Sequence, residues 1–160
     1  MISFGVSVGD SYLYLVRNSN LEIKNARHTY GALLDEQAKL GQIVPHASPS
    51  ERKQLTSSLD GDEIQLVDCP ESPVSLQPGD VIILASDGLD ASSGGKIVFA
   101  AINAESAEQC ATELLNAVGD VAHPKQDNTT VVVFRYGSVP KQAAVPQADA
   151  DFSQTMPMMR

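Results

Sequence analysis

An α+β fold is the class that this 160-residue sequence predicts. Three observations point to it: apolar, β-branched stretches that read as strands, amphipathic helical patterns set between them, and a turn that folds the first stretch back on itself as an antiparallel hairpin. The strand stretches run from Phe4 to Val16, from Asp80 to Leu89 and from Gln126 to Phe134.

Residues 2–23 read as a strand, a turn at Asn18-Ser19-Asn20 and a second short strand, Leu21-Glu22-Ile23, so that Asp10 lies on a paired, rigid element. Thr29 to Leu40 is helical by the spacing of Leu33, Leu34, Ala38 and Leu40, with Gly41 as its stop. Val44 to Gln54 is rich in Ser, Pro and charge and reads as a mobile loop, after which Asp60-Gly61 turns the chain into a strand from Glu63 to Val67. Pro78-Gly79 turns it again into the strand Asp80 to Ser86. Five apolar residues in a row, Val81 to Ala85, predict a central strand buried on both faces. Gly94-Gly95 reads as a turn. Glu105 to Val118 carries Ala107, Cys110, Ala111, Leu114, Leu115 and Val118 at helical spacing and ends at Gly119, which predicts a helix lying across the sheet. Thr129 to Arg135 is almost wholly apolar and reads as another central strand.

Beyond Tyr136 the composition shifts to Lys, Gln, Ala, Pro and Asp, so residues 138–160 are expected to be a disordered tail following a domain of residues 1–137. Phe152, Met156, Met158 and Met159 make a small apolar patch there. With Thr155 it reads either as a docking or phosphorylation segment or as a solvated tail without a role.

Twenty acidic against eleven basic residues give a formal charge of −9, which disfavours nucleic acid and anionic membranes as partners and suits a cation site. The 42% hydrophobic content permits a moderate core. Cys69 and Cys110 have neither metal-site spacing nor an evident pairing and read as inert thiols of a reducing compartment. No apolar run reaches the roughly 20 residues that a membrane span needs, and no leader pattern opens the chain, so a cytoplasmic protein is expected.

Asp10, Asp87 and Asp127 stand where the three most apolar stretches break into Gly, Ser or Asn. Each alone has a competing reading as a turn residue. Together they need a compensating partner, because carboxylates beside apolar segments are costly to bury unpaired. A hard divalent cation, Mg²⁺ or Mn²⁺, fits oxygen donors, and no Cys/His cluster argues for zinc. His46 lies in the mobile loop and reads as solvated. His123, near Asp127 in sequence, faces elsewhere if the strand starts there.

The strings Ser7-Val8-Gly9-Asp10-Ser11, Gly79 to Leu89 (GDVIILASDGL) and Gln126 to Val133 (QDNTTVVV) resemble, in order and separation, the later signatures of the PPM-type, or protein phosphatase 2C-like, metal-dependent phosphatases. The resemblance spans about residues 1–137 and corresponds to about the C-terminal two-thirds of such a domain. It implies a partial α-β-β-α sandwich, antiparallel sheets flanked by helices, with the N-terminal part of the parent fold missing. It also implies that Asp87 and Asp127 are ligands of a binuclear Mn²⁺ or Mg²⁺ centre and that Asp10 and Asp87 serve a third ion. No side chain beyond the ligands is implied as catalytic. The substrate would be a phosphoserine or phosphothreonine protein, hydrolysed by water held between two ions about 4 Å apart.

The sequence also departs from the family. Its Asp-Gly-x-Gly-Gly motif and its phosphate-holding basic residue have no counterpart here. Tyr12 stands where the family often has Arg, and Arg27-His28-Thr29 replaces an Asp-His-Ser string. Asp90 is a further candidate ligand, one residue short of the spacing in some relatives. The middle region would lie beside the cleft and contribute to substrate choice. Two functions are therefore expected in competition: an incomplete phosphatase, or a catalytically inactive phosphatase-like binding module or truncated gene product. In either case the missing front predicts exposed strand edges and apolar surface, and hence self-association or recruitment of a complementary fragment.

Overall fold

The computed structural model describes residues 2–3, 5–61, 63–121, 124 and 126–137. Its elements run β1 (Ile2–Ser3), β2 (Tyr12–Arg17), β3 (Asn20–Ile23), α1 (Tyr30–Lys39), α2 (Pro49–Arg52), β4 (Val74–Ser75), β5 (Val81–Ala85), a 3-10 turn (Asp87–Ala91), α3 (Gly94–Asn103), α4 (Ala107–Gly119) and β6 (Val131–Arg135). Four strands form a sheet in the order β3-β2-β5-β6, every neighbouring pair antiparallel, while β1 pairs with β4 apart from it. This is the α+β class that the sequence predicts.

Alternation along the strands divides the sheet into two faces. Tyr12, Tyr14 and Val16 of β2 and Val81, Ile83 and Ala85 of β5 point to one side, where they join Ile97, Ala100 and Ala101 of α3 and Cys110, Leu114 and Val118 of α4 in a single buried core. Ile83, Leu89, Cys110 and Leu114 are wholly buried there. The opposite face carries two rows in register, Leu13, Leu84 and Val132, then Leu15, Ile82 and Phe134. Leu15 is buried, but Leu84 is 48% exposed, Val132 58% and Phe134 44%. A cavity of about 720 Å³ lies over this face, walled also by Val6, Val74 and Leu76. Among the described residues the sheet is therefore covered by helices on one side and largely open on the other.

The hairpin expected between residues 2 and 23 forms from β2 and β3, joined at Asn18 (φ 50°) and Ser19 (φ 65°). A two-residue turn with both residues left-handed matches the twist of the strands it connects. Asp10, however, precedes β2 instead of lying within it. The backbone N–H of Gly9 donates to His28 Nδ1 at 3.1 Å and its carbonyl accepts from His28 N at 2.8 Å, so these groups serve the 25–29 segment and not a neighbouring strand. The predicted first helix is α1, capped by Thr29 Oγ1, which accepts from Ala32 N.

Several expectations are corrected. The segment read as a mobile loop contains α2, held by a capping box in which Ser48 and Glu51 bond reciprocally. No strand forms at residues 63–67; Leu66 instead exchanges hydrogen bonds with the Ser57 hydroxyl. Gly94-Gly95 opens α3 behind the N-cap Ser93 and is not a turn. β5 is central in the sheet but covered on one face only, and β6 is an edge strand, not a central one. Asp62, His123, and residues 138–160 with the Thr155 patch lie outside the described residues. None of the helices among the described residues is long and apolar enough to cross a membrane.

Candidate metal centre

The antiparallel register brings three strand ends together. Tyr12 at the start of β2 pairs with Ala85 at the end of β5, which pairs with Val131 at the start of β6. Asp10, Asp87 and Asp127 are attached just beyond these residues, at the same end of the sheet.

Polar contacts hold the two later ends in register. Ser86 N donates to Thr130 O at 3.0 Å, Thr130 N donates to Ser86 Oγ at 3.0 Å, and Gln126 Nε2 donates to Gly88 O at 2.9 Å. Gly88 permits this approach: a Cβ there would lie 2.5 Å from both Asn128 O and Thr129 Oγ1. The Ser-Asp-Gly string is thus a close-packing device as well as the carrier of a carboxylate. Asp127 Oδ1 accepts its neighbour Asn128 N at 2.7 Å, the turn-like contact of the competing reading.

The charges of Asp10 and Asp127 both act on Asp87. Burial first, then the negative charges of Asp10 and Asp127, push the Asp87 carboxyl above its ordinary value; Lys53 opposes this and Asp90 adds to it. Asp90 is engaged elsewhere. It accepts a hydrogen bond from the Tyr12 hydroxyl, and its Oδ2 lies 3.9 Å from Arg27 Nη2. The Arg27 guanidinium is also stacked over the Tyr12 ring, 4.3 Å from its centroid. The two positions at which the sequence departs from the family pattern therefore meet in space. Tyr12 in turn stacks on Tyr14 at 4.9 Å. Burial, with the Asp90 charge, pushes the Tyr14 phenol up to about 12. His46 is exposed.

Carboxylates are the donors that Mg²⁺ and Mn²⁺ prefer, and such ions complete their shells with several oxygens. Among the described residues, no three His, Cys, Asp or Glu side chains close around a point as a cation site requires. Asp10, Asp87 and Asp127 thus have the right chemistry and a shared location, but by themselves they do not fit a bound ion. The residues that sequence reasoning passed over here are Arg27 and Lys53. Arg27 was visible as a departure from pattern; Lys53 gave no local signal, because its approach to Asp87 depends on the tertiary fold.

An antiparallel sheet with helices against one face and carboxylates gathered at one end is an arrangement that this chain shares with solved PPM-type serine/threonine phosphatases, whose fold it matches over part of their length. It matches the Mycobacterium tuberculosis serine/threonine phosphatase PstP/Ppp at 28% identity and a TM-score of 0.64, covering 82% of this chain and 54% of that one. The PPM Ser-Thr phosphatase MsPP of Mycobacterium smegmatis, in complex with cacodylate, matches at 27% identity and a TM-score of 0.57, covering 82% and 55%. The catalytic domain of PstP in complex with two manganese ions matches at 25% identity and 0.56, again covering 82% and 55%. The chain therefore spans about half the length of the structures it matches. Sequence comparison alone finds no matching family model and no matching curated protein.

Proposed function

We propose that this chain forms one wall of a metal-dependent phosphoserine/phosphothreonine phosphatase centre. In this reading Asp87 and Asp127 are ligands for Mn²⁺ or Mg²⁺, Asp10 joins Asp87 at an outer ion, and the remaining donors come from polypeptide lying over the open face of the sheet. The observation that carries the reading is the convergence of three strand ends, each extended by an aspartate, in a family whose manganese-bound member spans nearly twice the matched length.

The apolar cavity supports the second half of the proposal. Ser11, Ser86 and Thr130 line its end, each within a few residues of one of the aspartates, so a layer packed on Leu84, Val132 and Phe134 would reach the carboxylates. A complementary polypeptide is the favoured occupant, and a second copy of the chain is the alternative. The competing function, an inactive phosphatase-like binding module, is favoured by the lack of a closed ligand set among the described residues.

Manganese-dependent hydrolysis of p-nitrophenyl phosphate or a phosphothreonine peptide separates the two. The chain is assayed alone and mixed with the part of the M. tuberculosis phosphatase that it does not span. Turnover that needs both pieces and disappears in Asp87→Asn and Asp127→Asn supports the incomplete centre. Without turnover in the mixture and without stabilisation by Mn²⁺, the binding-module reading stands.

A further inference from the structure

A second recess, on the side of α1 and α2, has a volume of about 970 Å³, and its wall includes Arg27, His28, Arg52, Lys53 and Asp90. Four cations line it together with four carboxylates, Asp35, Glu36, Asp68 and Asp90, and three of the cations face one of these: Arg52 at 2.6 Å from Asp35, Lys39 at 3.7 Å from Glu36, and Arg27 at 3.9 Å from Asp90. Lys53 differs. Among the described residues no carboxylate oxygen comes within 4.0 Å of its ammonium, yet its charge acts on Asp87, at the edge of the carboxylate cluster.

The backbone around Lys53 is fixed on both sides. Before it, α2 is locked by its capping box and packs on α1 where Gly31 lacks the Cβ that would sit 2.9 Å from Arg52 O. After it, Gln54 O accepts Tyr30 N at 2.8 Å, Thr56 N donates to His28 O at 2.9 Å, and Leu55 bridges Thr29. A long ammonium side chain thus stands on a rigid base between a recess and the carboxylates. In a chain of net charge −9, Lys53 stands at that point without a carboxylate partner among the described residues.

We propose that Lys53, with the Arg27 guanidinium held over the Tyr12 ring in the same wall, forms an anion subsite that takes the phosphate of a phosphorylated peptide lying in this recess. The proposal rests on the phosphatase reading above and names its substrate-holding group. Lysine binds phosphate as a compact point charge and needs no bidentate geometry. Arg27 supports the same potential without leaving Tyr12.

The test is direct binding of a phosphothreonine peptide to the full chain in chelator, followed by ³¹P NMR and by competition with inorganic phosphate. The phosphorylated peptide is expected to bind in preference to its unphosphorylated form. Lys53→Gln is expected to weaken it about fivefold, as for loss of one exposed charge-assisted contact, whereas Lys53→Arg retains it and Lys39→Gln leaves it unchanged. Lys53 is exposed, and an unchanged urea midpoint checks that Lys53→Gln is folded; a reduced salt dependence of binding gives a second readout. Equal or undetectable binding of the two peptides, no effect of Lys53→Gln, or the same loss in Lys39→Gln overturns the subsite. The assay contains no metal, so failure of the metal-centre reading, seen as no stabilisation by Mn²⁺, is recorded separately.

Discussion

Replacing Gly88 by Ala perturbs the site through a single methyl group. Gly88 does not have a left-handed backbone, so the cost is steric and not conformational. The new Cβ would stand 2.5 Å from the Asn128 carbonyl oxygen and 2.5 Å from Thr129 Oγ1, where real contacts of this kind do not fall below 3.0 Å. Thr129 can rotate away; the Asn128 carbonyl is backbone and must move with residues 126–129. That shift of about 0.5 Å opposes the Gln126 bond to Gly88 O and the Ser86 bonds to Thr130. Overpacking of this kind costs about 2 kcal/mol, which lowers the urea midpoint by about 1 M for a chain of this size. Gly95→Ala is the control, since its Cβ would meet nothing nearer than 3.9 Å, and a helical Gly→Ala change is expected to be neutral or to stabilise by about 0.5 kcal/mol. Equal midpoints for Gly88→Ala and wild type would refute the close approach that sets Asp127 beside Asp87.

Further predictions concern charge and the open face. Asp80 is buried and accepts from Arg17 Nε at 2.9 Å, Arg17 Nη2 at 2.6 Å and Gln77 N at 2.8 Å, so Asp80→Ala should cost about 3 kcal/mol in urea unfolding. The Arg17 contact, against opposing burial and with help from the Gln77 N–H, holds the Asp80 carboxyl below its ordinary range. Its contribution is therefore complete above the unfolded value of about 4 and is lost as pH falls through the lower folded value; Asp80→Asn should flatten that acid limb, and an unchanged limb would contradict the pairing. For Asp87 the sign is opposite. Its raised carboxyl penalises the metal-free fold most above the folded value and less as the group is protonated, so Asp87→Asn should raise the urea midpoint at neutral pH while removing any stabilisation by Mn²⁺. A lowered midpoint would show that the carboxylate is favourably paired. Phe134→Lys, on the open face, should change the stability of the isolated chain by under about 0.5 kcal/mol and abolish capture of a complementary polypeptide or dimerisation measured by sedimentation; a large loss of stability would mean that the face is already filled.

Where sequence signals are local, the fold follows them. α1 is announced by Thr29 as N-cap, the Leu33 and Leu34 spacing and Gly41, and each of these acts within one or two turns. α2 carries an equally local signal, the capping-box string Ser48-Pro49-Ser50-Glu51, but its Ser and Pro content matches loop composition as well. α3 was hidden by Gly94-Gly95, although Ile97, Ala100, Ala101 and Ala104 behind it keep helical spacing. The continuous runs of β5 and β6 signalled burial on two faces, and the structure supplies it on one. That mismatch leaves Val132 and Phe134 as exposed apolar residues on the open face. The aspartates stand out in the sequence because each interrupts or borders an apolar run. Lys53 and the Tyr12, Arg27 and Asp90 contacts do not, since they join segments distant in sequence.

Paramagnetic broadening by Mn²⁺ in an ¹H–¹⁵N NMR titration tests the shared carboxylate site most directly. The amide signals of Asp10, Asp87 and Asp127 should broaden together at the same low Mn²⁺ concentration, and the Asp87→Asn variant should lose all three effects at once. Broadening that reaches the three residues at unrelated concentrations, or spreads evenly over the acidic surface, would contradict a common site.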